Sequence, residues 1–377
     1  MTSVLVPFGT RPEIIKLAPV VKALAAAGFD VRTVATGQHY DPSLTDVFFG
    51  ELGVDVHARW EPAAGDEGAR VGAILSGAYA EVATSRPDLV LLLGDTHTVP
   101  LFALAARRHG VPIAHLEAGM RSLNPTSVEE VNRQIGAAVA GLHLPPTELA
   151  ARFLAREGVP AERIVVVGNP VIDVLRQRGI ARVPVDERRG VVVTAHRASN
   201  VDDDDRLWAL VQLLLALADE LGPVTFPVHP RTAKRLEETG LDGKLAHPAL
   251  VCCDPVGYDE MLTLLASATL AVTDSGGLQE EASYFGVPAV VLRRSTPRWE
   301  GVQAGIAALT GMDADRALAA ARRFASAAEQ ARVAAVPCPY GDGHTGERVV
   351  EVLSDGATWD RLRLVEPDFT STLPRLP

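Results

Sequence analysis

The feature that most constrains the fold is a regular alternation of short apolar runs with longer segments of helical period. Runs such as Val4–Phe8, Leu89–Gly94 and Leu270–Thr273 are each followed by a segment whose apolar residues recur every three or four positions. Short apolar runs are typical of strands buried on both faces, and this alternation is typical of βαβ units. The sequence therefore predicts an α/β fold with parallel sheets.

The predicted strands fall into two series, separated by a charged segment at 176–190. A chain of 377 residues also exceeds what one hydrophobic core usually serves. We therefore predict two Rossmann-like, doubly wound domains, 1–175 and 187–355, that face each other across a cleft. The predicted strands are Val4–Phe8, Val31–Thr36, Leu89–Gly94, Pro112–Leu116, Leu142–Leu144, Ile164–Val167, Val191–Ala195, Val224–Val228, Leu250–Cys253, Leu270–Thr273 and Ala289–Leu292.

Charge and composition exclude several classes of function. The net charge of −11 argues against nucleic-acid and anionic-membrane partners, because both bind basic surfaces. No apolar run approaches the roughly 20 residues of a membrane helix, and the opening MTSVLVPFGT lacks the features of a secretory signal. Cys252, Cys253 and Cys338 show no metal-ligand spacing. The sequence thus predicts a cytoplasmic protein without a metal site.

The segment TDSGGLQEEA at 273–282 predicts a phosphate-binding site. A strand ends there, Gly276 and Gly277 allow a tight turn after Ser275, and a helix begins, so its N–H groups and positive dipole end would face an anion. Glu281 lies about one turn further, where a carboxylate can accept hydrogen bonds from both ribose hydroxyls. The alternative is a helix N-cap with a capping-box glutamate. Neither GxGxxG nor GxxxxGK[ST] follows a strand, which disfavours a dinucleotide cofactor and a P-loop.

The first loop, GTRPEIIK, places two cations at a predicted helix start. Arg11 lies beside Pro12, and Lys16 follows one turn later. Cations at a helix N-terminus oppose the dipole, so we expect them to reach an anionic ligand in the cleft. The alternative is a surface ion pair between Glu13 and Lys16.

Carboxylates follow two further predicted strands, and a third carboxylate lies in another segment of the first domain. Asp95 and Glu117 follow predicted strands, and Glu129 lies in a segment that converges on the same sheet edge. Each alone also fits a turn or a cap. Because ligands of open α/β sheets bind beyond the carboxyl ends of the strands, the set together favours an active site.

These motifs converge on one family, which they match in order from residue 8 to about 343. They read FGTRPEIIKLAPV, TGQHYD, GDTHT, HLEAGMRS, EEVNRQ, VTAHRASN, FPVHPRTAKRLEE, DPVGY, TDSGGLQEEASYFGVPAVVLR and PYGDG. The chain resembles the non-hydrolysing UDP-N-acetylglucosamine 2-epimerases. The combination of TDSGG-x-QEEA with GTRPE-x-IK is highly specific.

The resemblance implies a glycosyltransferase-B type fold, with UDP held by the second domain and a C-terminal segment, about 356–377, packing back on the first. It implies reversible inversion at carbon 2 of UDP-N-acetylglucosamine to UDP-N-acetylmannosamine, through elimination of UDP to a 2-acetamidoglucal and re-addition. No redox cofactor is then required. A homodimer is also implied.

The resemblance also assigns roles to residues. Those expected around the sugar as acid–base groups are Asp95, Glu117, Glu129 and His196. Those expected to bind the UDP-sugar are Arg11, Lys16, Arg133, His229, Ser275, Gly276, Gly277, Glu281 and Arg298. His229 corresponds to a histidine on the family's effector side.

The chain departs from the family pattern at His97, Val128, Ala138 and Ser199, and it reads Thr296-Pro297-Arg298-Trp299-Glu300 where TERPE is usual. Four alternatives therefore stay open. The first is a 2-epimerase of a modified UDP-sugar, diacetamido or uronate. The second is a hydrolysing epimerase, which releases free sugar and UDP. The third is a glycosyltransferase of the same fold, and the fourth is a sugar-nucleotide sensor without turnover.

Overall fold

A computed structural model describes residues 1–38, 46–61 and 63–364, and every strand pairing in those ranges is parallel. The strands of the first sheet are β1 Ser3–Phe8, β2 Asp30–Ala35, β3 Ala58–Arg59, β4 Leu89–Leu93, β5 Ile113–Leu116 and β6 Leu142–Leu144. Those of the second sheet are β7 Val191–Thr194, β8 Val224–Pro227, β9 Leu250–Cys253, β10 Leu270–Thr273, β11 Ala289–Val291 and β12 Ala307–Leu309.

Both sheets have the same strand order. Within the described residues each has six strands, ordered β3-β2-β1-β4-β5-β6 in the first and β12-β11-β10-β7-β8-β9 in the second. In each, the fourth strand of the sheet lies beside the first, so the chain reverses direction across the sheet there. That is the Rossmann order, and it opens a crevice between β1 and β4 and another between β7 and β10. The predicted fold class is confirmed.

Helices cover both faces of the two sheets. The first module, which contains β1–β6, has α1 Arg11–Ala26, α2 Asp46–Leu52, α3 Glu67–Ser85, α4 Thr98–Arg108, α5 Val128–Val139 and α6 Glu148–Arg156. The connecting helix is α7 Pro170–Arg178. The second module, which contains β7–β12, has α8 Ala198–Val201, α9 Asp204–Leu221, α10 Pro230–Thr239, α11 Tyr258–Ser267, α12 Gly276–Phe285, α13 Trp299–Gln303, α14 Ala314–Ala325 and α15 Ala327–Ala334. The last helices are α16 Thr345–Ser354 and α17 Gly356–Leu362.

The strand predictions fail at three places. Ile164–Val167 was predicted as a strand but forms only an isolated bridge from Ile164 to His143. The two-residue β3 and the alanine-rich β12 were not predicted, because neither has the run of large apolar residues that marks a buried strand.

The chain returns to the first module at α16, which corrects the predicted domain limits. Residues 345–355 were assigned to the second domain, yet Val349 and Leu353 are buried in the same core as Leu17 of α1. The buried carboxylate of Asp173 on α7 accepts hydrogen bonds from the backbone N–H groups of Thr345 and Gly346, at 3.1 and 2.9 Å. This satisfies N–H groups at the start of α16 that have no partner within the helix. The predicted returning segment, about 356–377, is described only as far as residue 364.

Among the helices in the described ranges, none combines the length and the apolar character required to cross a membrane.

Candidate active site

A cavity of about 280 Å³ lies between the two modules, at the carboxyl ends of their central strands. The first module contributes the loops after β1, β4 and β5 and the start of α5. The second contributes the loops after β7, β10 and β11. Charged and hydroxyl side chains dominate its lining: Thr10, Glu13, Lys16, Asp95, Thr96, Glu117, Ser122, Ser127, Glu129, Arg133, Arg197, Ser275, Arg293 and Arg298.

The start of α12 forms one wall of this cavity. Ser275, Gly276 and Gly277 all line it, and the Ser275 hydroxyl is the helix N-cap, accepting from the Leu278 N–H at 3.5 Å. The neighbouring Asp274 is fully buried, and its carboxylate accepts hydrogen bonds from the backbone N–H groups of His196 and Arg197. The positive end of the α12 dipole therefore faces the cavity, where it favours an anion.

Two cations meet at a buried carboxylate behind this helix start. Glu280 is fully buried, and its Oε1 accepts from Arg298 Nε at 3.0 Å and from Asn169 Nδ2 at 2.9 Å. Its Oε2 lies 3.6 Å from Lys16 Nζ, which also donates to Glu117 Oε1 at 2.5 Å. Burial lowers the pKa of Lys16, but Glu117 and Glu280 outweigh burial and raise it above its usual value. The two cations are thus fixed and charged beside the α12 start.

Asp95 is held by an arginine from α5. The Arg133 guanidinium donates to the Asp95 carboxylate and, at 3.1 Å, to Glu130. The Asn132 amide donates to the Asp95 carbonyl at 2.9 Å. Burial opposes ionisation of Asp95, yet Arg133, Arg298 and Lys16 together hold its pKa below the usual value. Asp95 is therefore ionised at neutral pH.

Glu117 and Glu129 complete the carboxylates that the sequence predicted. Glu117 has a φ of 57°, an unusual backbone conformation for a residue other than glycine, at the end of β5. The Ser127 hydroxyl donates to Glu129 at 2.5 Å. Partial burial raises the pKa of Glu129, but this hydrogen bond and the backbone outweigh burial and leave the pKa below its usual value.

Glu13 is a cavity carboxylate that the sequence interpretation missed. It is buried, and it accepts hydrogen bonds from the Gly9 N–H, the Thr10 hydroxyl and the Thr96 hydroxyl, at 2.9, 2.9 and 2.8 Å. Burial raises its pKa to about 7, although these hydrogen bonds lower it. Glu13 therefore joins the loop after β1 to the loop that carries Asp95. The predicted alternative, a surface pair of Glu13 with Lys16, is wrong because both side chains turn inward to other partners.

Comparison with known proteins places the chain in a family. The family model described as UDP-N-acetylglucosamine 2-epimerase matches residues 22–354. A protein of Methanocaldococcus jannaschii named UDP-N-acetylglucosamine 2-epimerase is 34% identical, over 92% of this chain and 98% of that protein.

The chain belongs to the UDP-N-acetylglucosamine 2-epimerase family. It is accordingly an enzyme of the isomerase class, as the sequence predicted. A crystal structure of the M. jannaschii epimerase in complex with UDP-GlcNAc and UDP has a TM-score of 0.83 at 34% identity, and the match covers 94% of this chain and 99% of that chain. A Pseudomonas aeruginosa protein named UDP-2,3-diacetamido-2,3-dideoxy-D-glucuronate 2-epimerase is 35% identical, over 93% of this chain and 99% of that protein.

The cavity brings together most of the residues that the resemblance to the epimerase family assigned. These are Lys16, Asp95, Glu117, Glu129, Arg133, Ser275, Gly276, Gly277 and Arg298. Their positions follow from the fold, because each lies at or just after the carboxyl end of a strand, or in the first turns of a helix that packs there.

Four assigned residues lie outside the lining of this cavity. The rings of His196 and His229 are in tilted contact with centroids 5.3 Å apart, and His196 Nδ1 lies 3.3 Å from Asp274. Arg11 is the first residue of α1. Glu281 is buried behind Gly277, where it accepts a hydrogen bond from the Tyr258 hydroxyl at 3.0 Å, and burial raises its pKa to about 7.

Two departures from the epimerase family pattern also lie outside the cavity lining. His97 Nε2 is 3.4 Å from Glu67, and Val128 is 52% exposed at the start of α5. Neither substitution removes a carboxylate from the cavity.

Sequence reasoning missed Glu280 and Arg293 as well as Glu13. Glu13 and Glu280 belong to the motifs GTRPE and QEEA. That membership is the signal that could have identified both, although neither follows a strand directly.

Proposed function

We propose that the chain is a reversible 2-epimerase of UDP-N-acetylglucosamine, which eliminates UDP to a 2-acetamidoglucal and adds it back with the opposite configuration at carbon 2. One observation carries this proposal: a single cavity joins the anion-favouring start of α12 to four carboxylates from the first module. The family membership and the likeness to an epimerase structure with UDP-GlcNAc and UDP support it.

The leaving group comes first in the proposed mechanism. The proton on carbon 2 has no adjacent carbonyl to acidify it, so cleavage of the carbon 1–oxygen bond must run ahead and build positive charge on the ring. UDP leaves with the bonding electron pair, and the α12 start with Lys16 and Arg298 stabilises the negative charge that develops on it. Glu280 holds Arg298, and approaches Lys16, from the buried side.

The carboxylates handle the proton and the positive ring. A base removes the carbon 2 proton as the double bond forms, and an acid on the other face returns a proton when a phosphate oxygen of UDP bonds to carbon 1 again. Inversion therefore needs proton-transfer groups on opposite faces. We assign this work to Asp95, Glu117 and Glu129, with His196, the neighbour of the cavity residue Arg197, as a fourth group, and leave their individual roles open.

The proposed contacts with the nucleoside lie on the second module. We propose that Glu281 accepts hydrogen bonds from ribose hydroxyls, and that His229, whose ring lies beside that of His196, contacts the ligand. We propose that Arg11 and Arg133 contribute positive charge to binding, Arg133 through its hold on Asp95.

The cellular location and the oligomeric state of the enzyme stay predictions. A cytoplasmic location and a homodimer are inferred from the sequence and from the resemblance. The described side chains of α4 and α5 offer one apolar surface for a second copy, with Leu104, Val131 and Ile135 each more than 40% exposed.

A second candidate substrate is a UDP-linked diacetamido uronate. The P. aeruginosa relative named for such a sugar is as similar as the N-acetylglucosamine enzyme is. Arg197 and Arg293 also line the cavity and could pair with a carboxylate on the sugar. The proposed reaction at carbon 2 is the same for this candidate, and only the substituents on the sugar differ.

One experiment tests these candidates. The protein is incubated in deuterated water with either UDP-sugar, and the sugar is followed by NMR. Deuterium at carbon 2 with a mixture of gluco and manno UDP-sugars is expected for the epimerase. The UDP-sugar that exchanges its carbon 2 proton faster is then the preferred substrate. Free N-acetylmannosamine would show hydrolysis, and binding without exchange would show a sensor.

A further inference from the structure

A second, larger concavity lies on the second module, beside the catalytic cavity. It has a volume of about 1050 Å³ and is bordered by the start of α9, the loop after β11 and the start of α14. Five arginines line it: Arg197, Arg206, Arg293, Arg294 and Arg316. We call it the arginine groove.

The arginines of this groove are not paired with carboxylates in the described part of the chain, where none of the five forms an ion pair. Arg197 Nε and Arg206 Nη1 donate only to the backbone carbonyls of Asp274 and Ser199. Buried Nη1 of Arg293 has no hydrogen-bond partner among the described residues. Burial, together with Arg197 and Arg298, lowers the pKa of Arg293 to about 9. Arg298 belongs to the catalytic cavity, which Arg293 also lines.

The acidic residues of the groove do not neutralise it. Three aspartates line it, Asp205, Asp313 and Asp315, against five arginines. One of them, Asp313, already accepts the N–H of Arg316 at 2.9 Å as the N-cap of α14. The starts of α9 and α14 add the positive ends of two helix dipoles. An anion with several negative charges fits this field.

The floor of the groove is apolar. Its surface comes from Leu309, Met312 and Leu318, which are partly exposed, whereas Leu213 and Leu292 are almost fully buried. The volume is that of a site for a whole nucleotide or a similar molecule, not for a single ion. A ring or another apolar body would cover the leucines while its charged groups reach the arginines.

We propose that the arginine groove binds an organic phosphate, separately from the catalytic cavity, with its phosphate groups on Arg293, Arg294 and Arg316 and its apolar part on the leucine floor. Planar guanidinium groups match phosphate oxygens in charge and geometry. Arg197 and Arg293 line both the groove and the catalytic cavity, so a ligand in the groove acts on the cavity through these two side chains.

The test is a calorimetric titration of the full-length chain with ADP while the catalytic cavity is saturated with UDP. One ADP is expected to bind per chain. The variant Arg294→Ala with Arg316→Ala changes two exposed residues that line only the groove, and it should bind ADP at least about tenfold more weakly. The control Arg107→Ala with Arg108→Ala removes the same charge from exposed positions on α4 and should bind within twofold of the unaltered chain.

A second titration uses inorganic pyrophosphate, which carries the negative charge of a diphosphate without an apolar body. It should bind more weakly than ADP. The proposal would be overturned by the absence of ADP binding, by displacement of UDP, by equal ADP affinity in the groove variant and the control, or by a groove variant that loses UDP affinity as well. Equal affinities for ADP and pyrophosphate would overturn the role of the leucine floor. The titration measures binding and not turnover, so its result does not depend on the proposed epimerase activity.

Discussion

Lys16 Nζ lies 3.6 Å from Oε2 of Glu280, so an ion pair joins helix α1 of the first module to helix α12 of the second. Glu280 is fully buried and also binds Arg298. A buried carboxylate is stable in its charged form only if cations and hydrogen-bond donors surround it. The positions of both cations beside the α12 start therefore depend on Glu280.

Glu280→Gln should lower the free energy of unfolding by about 3 kcal/mol or more, because two buried cations lose the charge between them. Urea unfolding measures this effect. The control Glu329→Gln breaks a pair with Arg332 at the surface, where water screens the charges, and should change stability far less. Equal effects of the two substitutions would contradict the role of Glu280.

Asp95→Asn should slow exchange of the carbon 2 proton by about 10²–10⁴-fold, because the amide is not a base and the adjacent Arg133 stays charged. Affinity for UDP should stay within a few-fold. Exchange is measured by NMR in deuterated water, with the exposed Asp186→Asn as control. A parallel collapse of UDP binding would place Asp95 in nucleotide binding instead.

Gly276→Ala should destabilise the protein by about 1–3 kcal/mol, since its new Cβ would lie 2.9 Å from the Arg298 guanidinium and push it away from Glu280. Gly277→Ala is the matched control. Its Cβ meets only Glu281 Oε1, at 3.8 Å, so stability should change little. Thermal unfolding compares the two, and similar melting temperatures would argue against close packing of Arg298 on the helix start.

Glu13→Gln should flatten the pH dependence of stability between about pH 5 and 8. The pKa of Glu13 is about 7 in the folded protein and 4.5 as the ordinary value. The folded state therefore holds a proton that the unfolded state releases, so the stabilisation present below pH 4.5 is lost as pH rises through 7. The loss is on the order of 3 kcal/mol, and glutamine has no such proton. Denaturant unfolding across this range measures the slope, and an unchanged slope would refute the assignment.

Glu281→Gln should weaken UDP binding by about tenfold, because an ionised carboxylate is the stronger acceptor for ribose hydroxyls. Since the pKa of Glu281 is raised to about 7, binding to the unaltered chain should strengthen as pH rises through that value. Tyr258→Phe removes a hydrogen bond that lowers this pKa and should move the transition to higher pH. Calorimetry at several pH values gives the profile, and UDP affinity independent of pH in all three proteins would exclude Glu281 as a ligand.

Much of the site could be predicted because strand ends are visible in the sequence. Asp95, Glu117 and Ser275 each follow an apolar run, and the carboxyl ends of parallel strands meet at one sheet edge. Glu13 and Glu280 could not be placed in this way. Both lie inside helices, where a carboxylate is usually a solvated residue, and only packing against the other module or a neighbouring loop buries them.

The sequence by itself determined the two Rossmann-like sheets, the family, and the strand-end residues that face the cleft, because these depend on local periodicity and on motifs. The tertiary structure alone decided which charges pair. Lys16 binds Glu117 and approaches Glu280 instead of pairing with its neighbour Glu13 in α1, and the arginines of the groove form no ion pair with any residue that the structure describes. The tertiary structure decides the pairing because the energy of an ion pair depends on the distance between the charges and on their burial. Spacing along the chain determines neither.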